Sequence, residues 1–381
     1  MPKRGTMGSV SGKNDKSHAV CASDQYIRRA HHAGSWYEND PVTLRTTLQQ
    51  YLDHAASDSS TKNGRVNTSG ADGRIFLRGL IVPHAGYSYS GPTAAYAYQP
   101  LFQELSRVDC PIQILLVLHP SHHVYLDGCA ISNSHTINTP VGNLATDDGI
   151  REELLLLNHN NKSIFTVMSQ KEDEEEHSGE MQYPYIAHIL QACGKLHNNG
   201  SNKPIRVLPI MCGALSNQQE ASYGHLLQRV IAREDVLTIV SSDFCHWGPR
   251  FRYQPIPTKE KSYKDSMPLH EFIKSLDRQG MDAIEAQQPG AFANYLARTR
   301  NTICGRHAIA VWMQAIAASE TTIGNKDDTD PTGELLRVRF VRYAQSSPAE
   351  SLRDNSVSYA AALATRTIAA KPNDESALYA L

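Results

Sequence analysis

Ile112-Gln113-Ile114-Leu115-Leu116-Val117-Leu118-His119-Pro120-Ser121-His122-His123 is the stretch that decides the fold. Its first half is apolar nearly without interruption, the pattern of a strand buried on both faces rather than one alternating between core and water. Proline, serine and histidines follow at once. Phe76–Val82, Ile205–Met211 and Val236–Ser241 repeat the design, and most of these runs are soon followed by Gly, Pro, Ser or Asp.

Helix-length segments lie between the strands. Pro41–His54 follows Asp40, an acceptable N-cap, and spaces Leu44, Leu48, Tyr51 and Leu52 on one helical face. Ser178–Cys193 carries Met181, Tyr185, Ile189 and Leu190, with Pro184 an awkward interior residue. Arg306–Ser319 is the cleanest amphipathic helix, and Leu335–Tyr343 and Ser356–Ala362 read as closing strands. Alternation of this kind predicts an α/β fold: a mixed, mostly parallel sheet with helices on both faces. A single domain is expected over residues 25–365, between tails at 1–24 and 366–381. Polar insertions fall near 57–73, 158–162 and 198–203.

Composition narrows the function classes. Hydrophobic residues make up 40% and charged residues 20%, the balance of a folded chain, and the net charge of −2 gives no field for nucleic acid or an anionic membrane. No apolar run reaches the roughly 20 residues of a membrane span. Seven cysteines without a CxxC pair argue for a reducing compartment, with the cytoplasm as the default and the nucleus also open. Neither GxGxxG nor GxxxxGK[ST] is present, so a nucleotide is not expected. The chain leaves its oligomeric state open.

Histidines cluster where strands end. Pro83-His84-Ala85-Gly86-Tyr87, His119-Pro120-Ser121-His122-His123 and Asp243-Phe244-Cys245-His246-Trp247 each follow a predicted strand. In an open α/β sheet ligands bind outside the carboxyl ends of the strands, so neighbouring strands would deliver these side chains to one crevice. His84 and His122 suit a transition metal through neutral imidazoles. Cys304 precedes the Arg306 helix, where the dipole and Arg306 favour the thiolate; a lone cysteine also reads as a small buried hydrophobe. Asp243, three residues before His246, would orient an imidazole for proton transfer or serve in an Asx turn. The acidic run Glu172–Glu176 before His177 reads as a solvated face at a helix N-terminus, with His177 and Glu180 on the turn nearest the crevice.

At these residues the sequence resembles the Memo (mediator of cell motility) family. His32-Ala33-Gly34-Ser35-Trp36-Tyr37, Pro83–Tyr87, Pro120–His123, Glu176–Met181, Ser241–Gly248, Thr302–His307, Tyr343–Ser347 and Ser356–Ala360 match its motifs in order, over roughly Arg28 to Leu363. The resemblance implies the fold of class III extradiol ring-cleaving dioxygenases, with His84, His122 and Cys304 as a metal-binding set for one iron(II) or copper(I) ion. Zinc is less expected, since HExxH is absent. It also implies His246 and Asp243 as proton-transfer residues, and oxidant formation linked to signalling, the cytoskeleton and cell motility. A thiolate stands where the dioxygenases have a carboxylate, which argues against ring cleavage and leaves open whether the chain is an enzyme. The alternative implied by the same family is an adaptor whose cleft binds a phosphotyrosine peptide or signalling protein. For that reading His32, Trp36, Tyr87, His123, His177, Glu180 and Arg306 are the lining candidates. His119 occupies a position where glycine is more usual.

Overall fold

The computed structural model describes residues 26–58, 74–159, 162–197, 203–257, 267–324 and 336–368. Nine strands form the main sheet: β1 (Arg74–Val82), β2 (Ile114–Pro120), β3 (Cys129–Ile131), β4 (Phe165–Val167), β5 (Arg206–Cys212), β6 (Val236–Ser241), β7 (His246–Trp247), β8 (Leu336–Gln345) and β9 (Ser356–Ile368). Their spatial order is β7-β9-β1-β6-β2-β5-β3-β4, with β8 paired to β9. The central strands β1, β6, β2 and β5 run parallel. Antiparallel pairing takes over where β3 meets β5 and where β9 meets β1 and β8. The sheet is therefore mixed, with its parallel character concentrated at the centre.

The ten helices are α1 (Pro41–Ser57), α2 (Tyr87–Leu105), α3 (Asp148–Leu155), α4 (Gln170–Glu175), α5 (His177–Glu180), α6 (Tyr183–Ala192), α7 (Asn217–Ile231), α8 (Leu269–Glu285), α9 (Pro289–Thr299) and α10 (Arg306–Gly324), among the described residues. Alternation along each central strand sends side chains to two cores. Ile114, Leu116 and Leu118 of β2 join the core under α7 and α10, while Leu115 and Val117 join the one under α1, α2 and α6. Helices on both faces explain why these strands are apolar throughout.

Local chemistry accounts for the boundaries. Asp40 caps α1 by accepting from the Thr43 N–H at 2.8 Å, and Leu44, Leu48 and Leu52 are buried beneath it. The expected Ser178–Cys193 helix is two pieces, α5 and α6, with Pro184 in the first turn of α6, where its missing N–H costs nothing. The closing strand runs on to Ile368, so residues 366–368 belong to β9 rather than to a tail. Asn158–His159 and Lys162–Ser163 pair as a small hairpin inside the expected polar insertion. The expected tail over 1–24, most of the 57–73 insertion, residues 198–202 and residues 369–381 lie outside the described residues. No helix among the described residues is long and apolar enough to cross a membrane.

α10 lies close to α7 because Gly224 has no side chain: a Cβ there would sit 2.4 Å from Gln314 Cβ and 2.9 Å from the Ala315 nitrogen. Relief requires moving a helix backbone. Gly224→Ala is expected to destabilise the fold by about 1–3 kcal/mol, the usual cost of overpacking, read as a lower urea midpoint with an unchanged slope.

Candidate metal centre

The three histidine-bearing strands β1, β6 and β2 are neighbours, so their carboxyl ends open onto one crevice. His84 leaves β1, His122 leaves β2, and Asp243 and His246 leave β6. Cys304 comes from elsewhere, two residues ahead of α10. Ligating atoms of His84, His122 and Cys304 all lie within 4.8 Å of one another, and Cys304 Sγ is 3.0 Å from His84 Nε2. Gly305 makes this approach possible. A Cβ at that residue would lie 2.4 Å from the Ser241 carbonyl oxygen, and its N–H donates to Ser242 Oγ at 3.0 Å.

Neighbouring hydrogen bonds decide which ring nitrogens face the crevice. Ser241 Oγ donates to the Ser178 carbonyl at 2.7 Å and accepts from Gln182 Nε2 at 2.9 Å. Its single proton is thus committed. His84 Nδ1, 2.8 Å from the same oxygen, must be the donor, leaving Nε2 as a lone pair. At His122 Nδ1 sits 2.9 Å from Glu176 Oε1, a carboxylate that only accepts, so in the neutral ring Nε2 is the nitrogen with the lone pair. Glu176 also accepts from the His122 backbone N–H at 2.6 Å. A carboxylate behind one imidazole and a hydroxyl behind the other are the outer partners that orient metal-binding histidines. Two neutral nitrogens and one sulfur in this arrangement fit a soft or borderline transition ion.

Glu176 is buried, and the acidic run before it is not a solvated face. Asp173, Glu174, Glu176 and Glu180 are each at most 4% exposed. Glu174 pairs with the exposed Arg29 at 2.6 Å, and the counter-charge of Asp173 and Glu180 is Arg28, itself buried. It meets Asp173 Oδ1 at 3.0 Å and Glu180 Oε2 at 2.7 Å, and donates to the carbonyls of Asp173 and Glu176 at 2.7 and 3.1 Å. Burial opposes ionisation of Glu176, but the hydrogen bond from His122 and the surrounding imidazoles hold its carboxyl well below the ordinary range.

The remaining expected residues divide. His177 lies in the crevice, stacked on His122 at 4.5 Å between ring centroids and on Trp36 at 4.3 Å. His123 approaches it edge-on at 5.8 Å from the rim, and His32 at 6.0 Å from the buried side. Glu180 does not face the crevice openly: it accepts from the N–H of His32 at 2.7 Å and from Tyr37 at 2.8 Å, so it anchors the His31–Tyr37 turn. Tyr87 is a core residue whose hydroxyl donates to the Met181 carbonyl at 2.8 Å. Arg306 is exposed at the start of α10. The expected help of Arg306 and the helix toward a Cys304 thiolate is outweighed: burial, then the nearby Asp243 carboxylate, pushes the thiol well above its usual value.

Asp243 holds the backbone, accepting from the His84 N–H at 2.8 Å and the Ala85 N–H at 3.4 Å. Among the described residues no hydrogen bond joins it to His246. His246 directs Nδ1 at the carbonyls of Phe244 and Thr302, at 2.9 and 3.1 Å, which fixes that nitrogen as the donor and frees Nε2. Asp243, His246 and Cys304 nonetheless have ligating atoms within 4.8 Å. Arg28, Glu176, Ser241 and Gln182 were not among the expected site residues. Glu176 and Ser241 had a signal, each opening one of the motifs Glu176–Met181 and Ser241–Gly248; Arg28 and Gln182 had none.

The sequence matches the family model described as Memo-like protein over residues 28–363. It is similar to Protein memo-1 homolog of Caenorhabditis elegans, 37% identical over 88% of this chain and 82% of that protein. It is also similar to Protein MEMO1 of Homo sapiens, 36% identical over 89% of this chain and 97% of that protein. A crystal structure of an uncharacterized Escherichia coli K12 protein aligns with 74% of this chain and 99% of its own, at 14% identity and a TM-score of 0.43.

Buried histidines give the crevice a pH signature. Burial pushes His119 down from 6.5 to about 4, and burial together with His122 pushes His177 down to about 3. Both folded values lie below the unfolded one. Their contribution is therefore fully present above pH 6.5 and is lost as the pH falls from there through about 4 and about 3, where the unfolded chain binds protons the folded chain refuses. Urea unfolding is expected to show a midpoint that drops over this range. His119→Asn, which keeps a polar group near the Ser178 hydroxyl, should flatten part of the slope.

Proposed function

The chain belongs to the Memo family, and on that premise we propose that it is a metal-binding redox protein, linked to signalling and the control of cell motility, with one iron or copper ion held by His84, His122 and Cys304. The observation that carries this reading is the convergence of two imidazole lone pairs with a cysteine sulfur, each imidazole fixed from behind by a committed hydrogen bond. When bound, such an ion supplies one-electron exchange with dioxygen, the route to oxidant formation.

The protein's own residues supply the rest. Glu176 and Ser241 hold the two donor tautomers. Asp243 pins the His84 backbone, and its place beside Cys304 adds negative charge opposite a cation. His246, with Nδ1–H given to two carbonyls, presents Nε2 as the acceptor for a proton in the crevice. Trp36 and His177 form a flat wall that narrows access for water.

A second reading, a phosphotyrosine-peptide adaptor, has a narrower footing in the same crevice: the Trp36–His177 stack offers a face for an aromatic ring, and exposed His123, edge-on to His177, offers a donor beside it.

Protein loaded anaerobically with ferrous iron or cuprous copper is expected to keep about one ion per chain through desalting, and Cys304→Ser very little. Equal retention by the variant would sink the metal reading. Glu176→Gln, which removes the carboxylate behind His122, should weaken metal affinity by about 10- to 100-fold. For the adaptor reading, calorimetric titration of a phosphotyrosine peptide should give tighter binding than its unphosphorylated twin; indistinguishable affinities would remove it.

A further inference from the structure

Two thiols outside the crevice stand directly opposite each other. In the antiparallel pairing of β3 with β5, Cys129 is the partner of Cys212. The Gly213 N–H donates to the Gly128 carbonyl at 2.9 Å, and the Ser132 N–H to the Pro209 carbonyl at 3.1 Å. These contacts assign the hydrogen-bonded positions to Gly213–Gly128, Met211–Ala130 and Pro209–Ser132. Cys129–Cys212 therefore falls on a non-hydrogen-bonded pair, where opposed Cα atoms come to about 4.5 Å. That lies within the roughly 4.4–6.8 Å that a disulfide spans. Both side chains belong to the same core, each 1% exposed.

Placement gives the pair a relation to the site. Cys212 is also in register with Pro120 on its other side, so the thiols sit one strand away from the segment that carries His122. Tyr223 covers this end of β3, its hydroxyl lying 2.6 Å from where a Cβ would stand at Gly128, a residue with φ of +114°. Strand β3 has three residues and borders the equally short β4, so a local opening that admits a small oxidant breaks few backbone bonds.

We propose that Cys129 and Cys212 form an oxidant-sensing dithiol that closes into a cross-strand disulfide. A peroxide first oxidises one thiol to the sulfenic acid, releasing one water. The second thiol's sulfur then attacks that sulfur, the S–S bond forms, and the hydroxyl leaves with the proton as a second water. Two electrons pass from the two thiols to one hydrogen peroxide molecule. The bond staples β3 to β5 beside the His122 segment. In a reducing compartment a disulfide of this kind is a transient redox signal rather than a structural fixture. Burial pushes the Cys129 thiol well above its usual value, so closure is expected to be slow at neutral pH. The proposal does not depend on the metal reading, because the oxidant is supplied from outside.

The test uses the full chain, stripped of metal by chelation and incubated with hydrogen peroxide. Remaining thiols are alkylated in denaturant and the peptides mapped without reductant. A Cys129 peptide joined to a Cys212 peptide, and separated by dithiothreitol, is the expected product. Cys304→Ser should retain this link, and Cys129→Ala should lose it. Recovery of both cysteines alkylated to the level of untreated wild-type protein would overturn the proposal, as would joining of Cys212 to other cysteines in comparable yield. Both of these outcomes are read from wild-type protein, so they hold even if Cys129→Ala folds poorly.

Discussion

A carboxylate with no water to solvate it governs this molecule. Glu176 is 1% exposed, and an ion so buried persists only if every lone pair finds a partner. It finds them on the segment after β2, from the His122 backbone N–H and ring, and at its own helix, from the Ser178 N–H at 3.0 Å. Its backbone carbonyl takes a bond from Arg28, which binds the first described segment to α4 and α5 through Asp173 and Glu180. Removing Arg28, Asp173 or Glu180 leaves another charge buried and unpaired, so these three residues stand or fall together. The rotamer of His122, and with it the direction of one donor nitrogen, is set by the Glu176 carboxylate that rests on this cluster.

The sheet was legible for a simple physical reason. A strand covered on both faces must be apolar at consecutive positions, and Val236–Ser241 appears over the same residues in sequence pattern and structure. The strand-end histidines were legible too, because the carboxyl edge of a parallel sheet is where side chains escape the core. What pattern reading lost were the residues defined by their partners. Arg28 looks like any charged residue near a tail, and nothing local says that Asp173 and Glu180, about 150 positions away, neutralise it. The acidic run failed in the opposite sense. Consecutive carboxylates usually mean water, and here burial with a guanidinium and two imidazole-bearing segments reversed the rule. Tyr87 and Glu180 lie within the motifs that point to the site, yet each serves the scaffold, since a motif records both the groups that act and the groups that hold them.

Charge arithmetic inside the crevice favours a cation over an anion. Burial, reinforced by neighbouring imidazoles, lowers the affinity of His84 and His177 for protons, so these rings are neutral near pH 7 and offer lone pairs rather than positive charge. The ionised groups in or behind the crevice include Glu176 and Glu180, both held below the usual carboxylate range. An anionic ligand would enter a pocket whose buried imidazoles offer it lone pairs rather than positive charge. A metal ion meets the reverse. It finds neutral nitrogens already aimed inward, carboxylates behind them to disperse its charge, and a thiol whose proton it displaces, because a bound cation inverts the desolvation that keeps that sulfur protonated. The elevated proton affinity of Cys304 is therefore the expected property of a buried sulfur before a cation reaches it, and at the proposed site it would make metal affinity rise with pH as that proton is released.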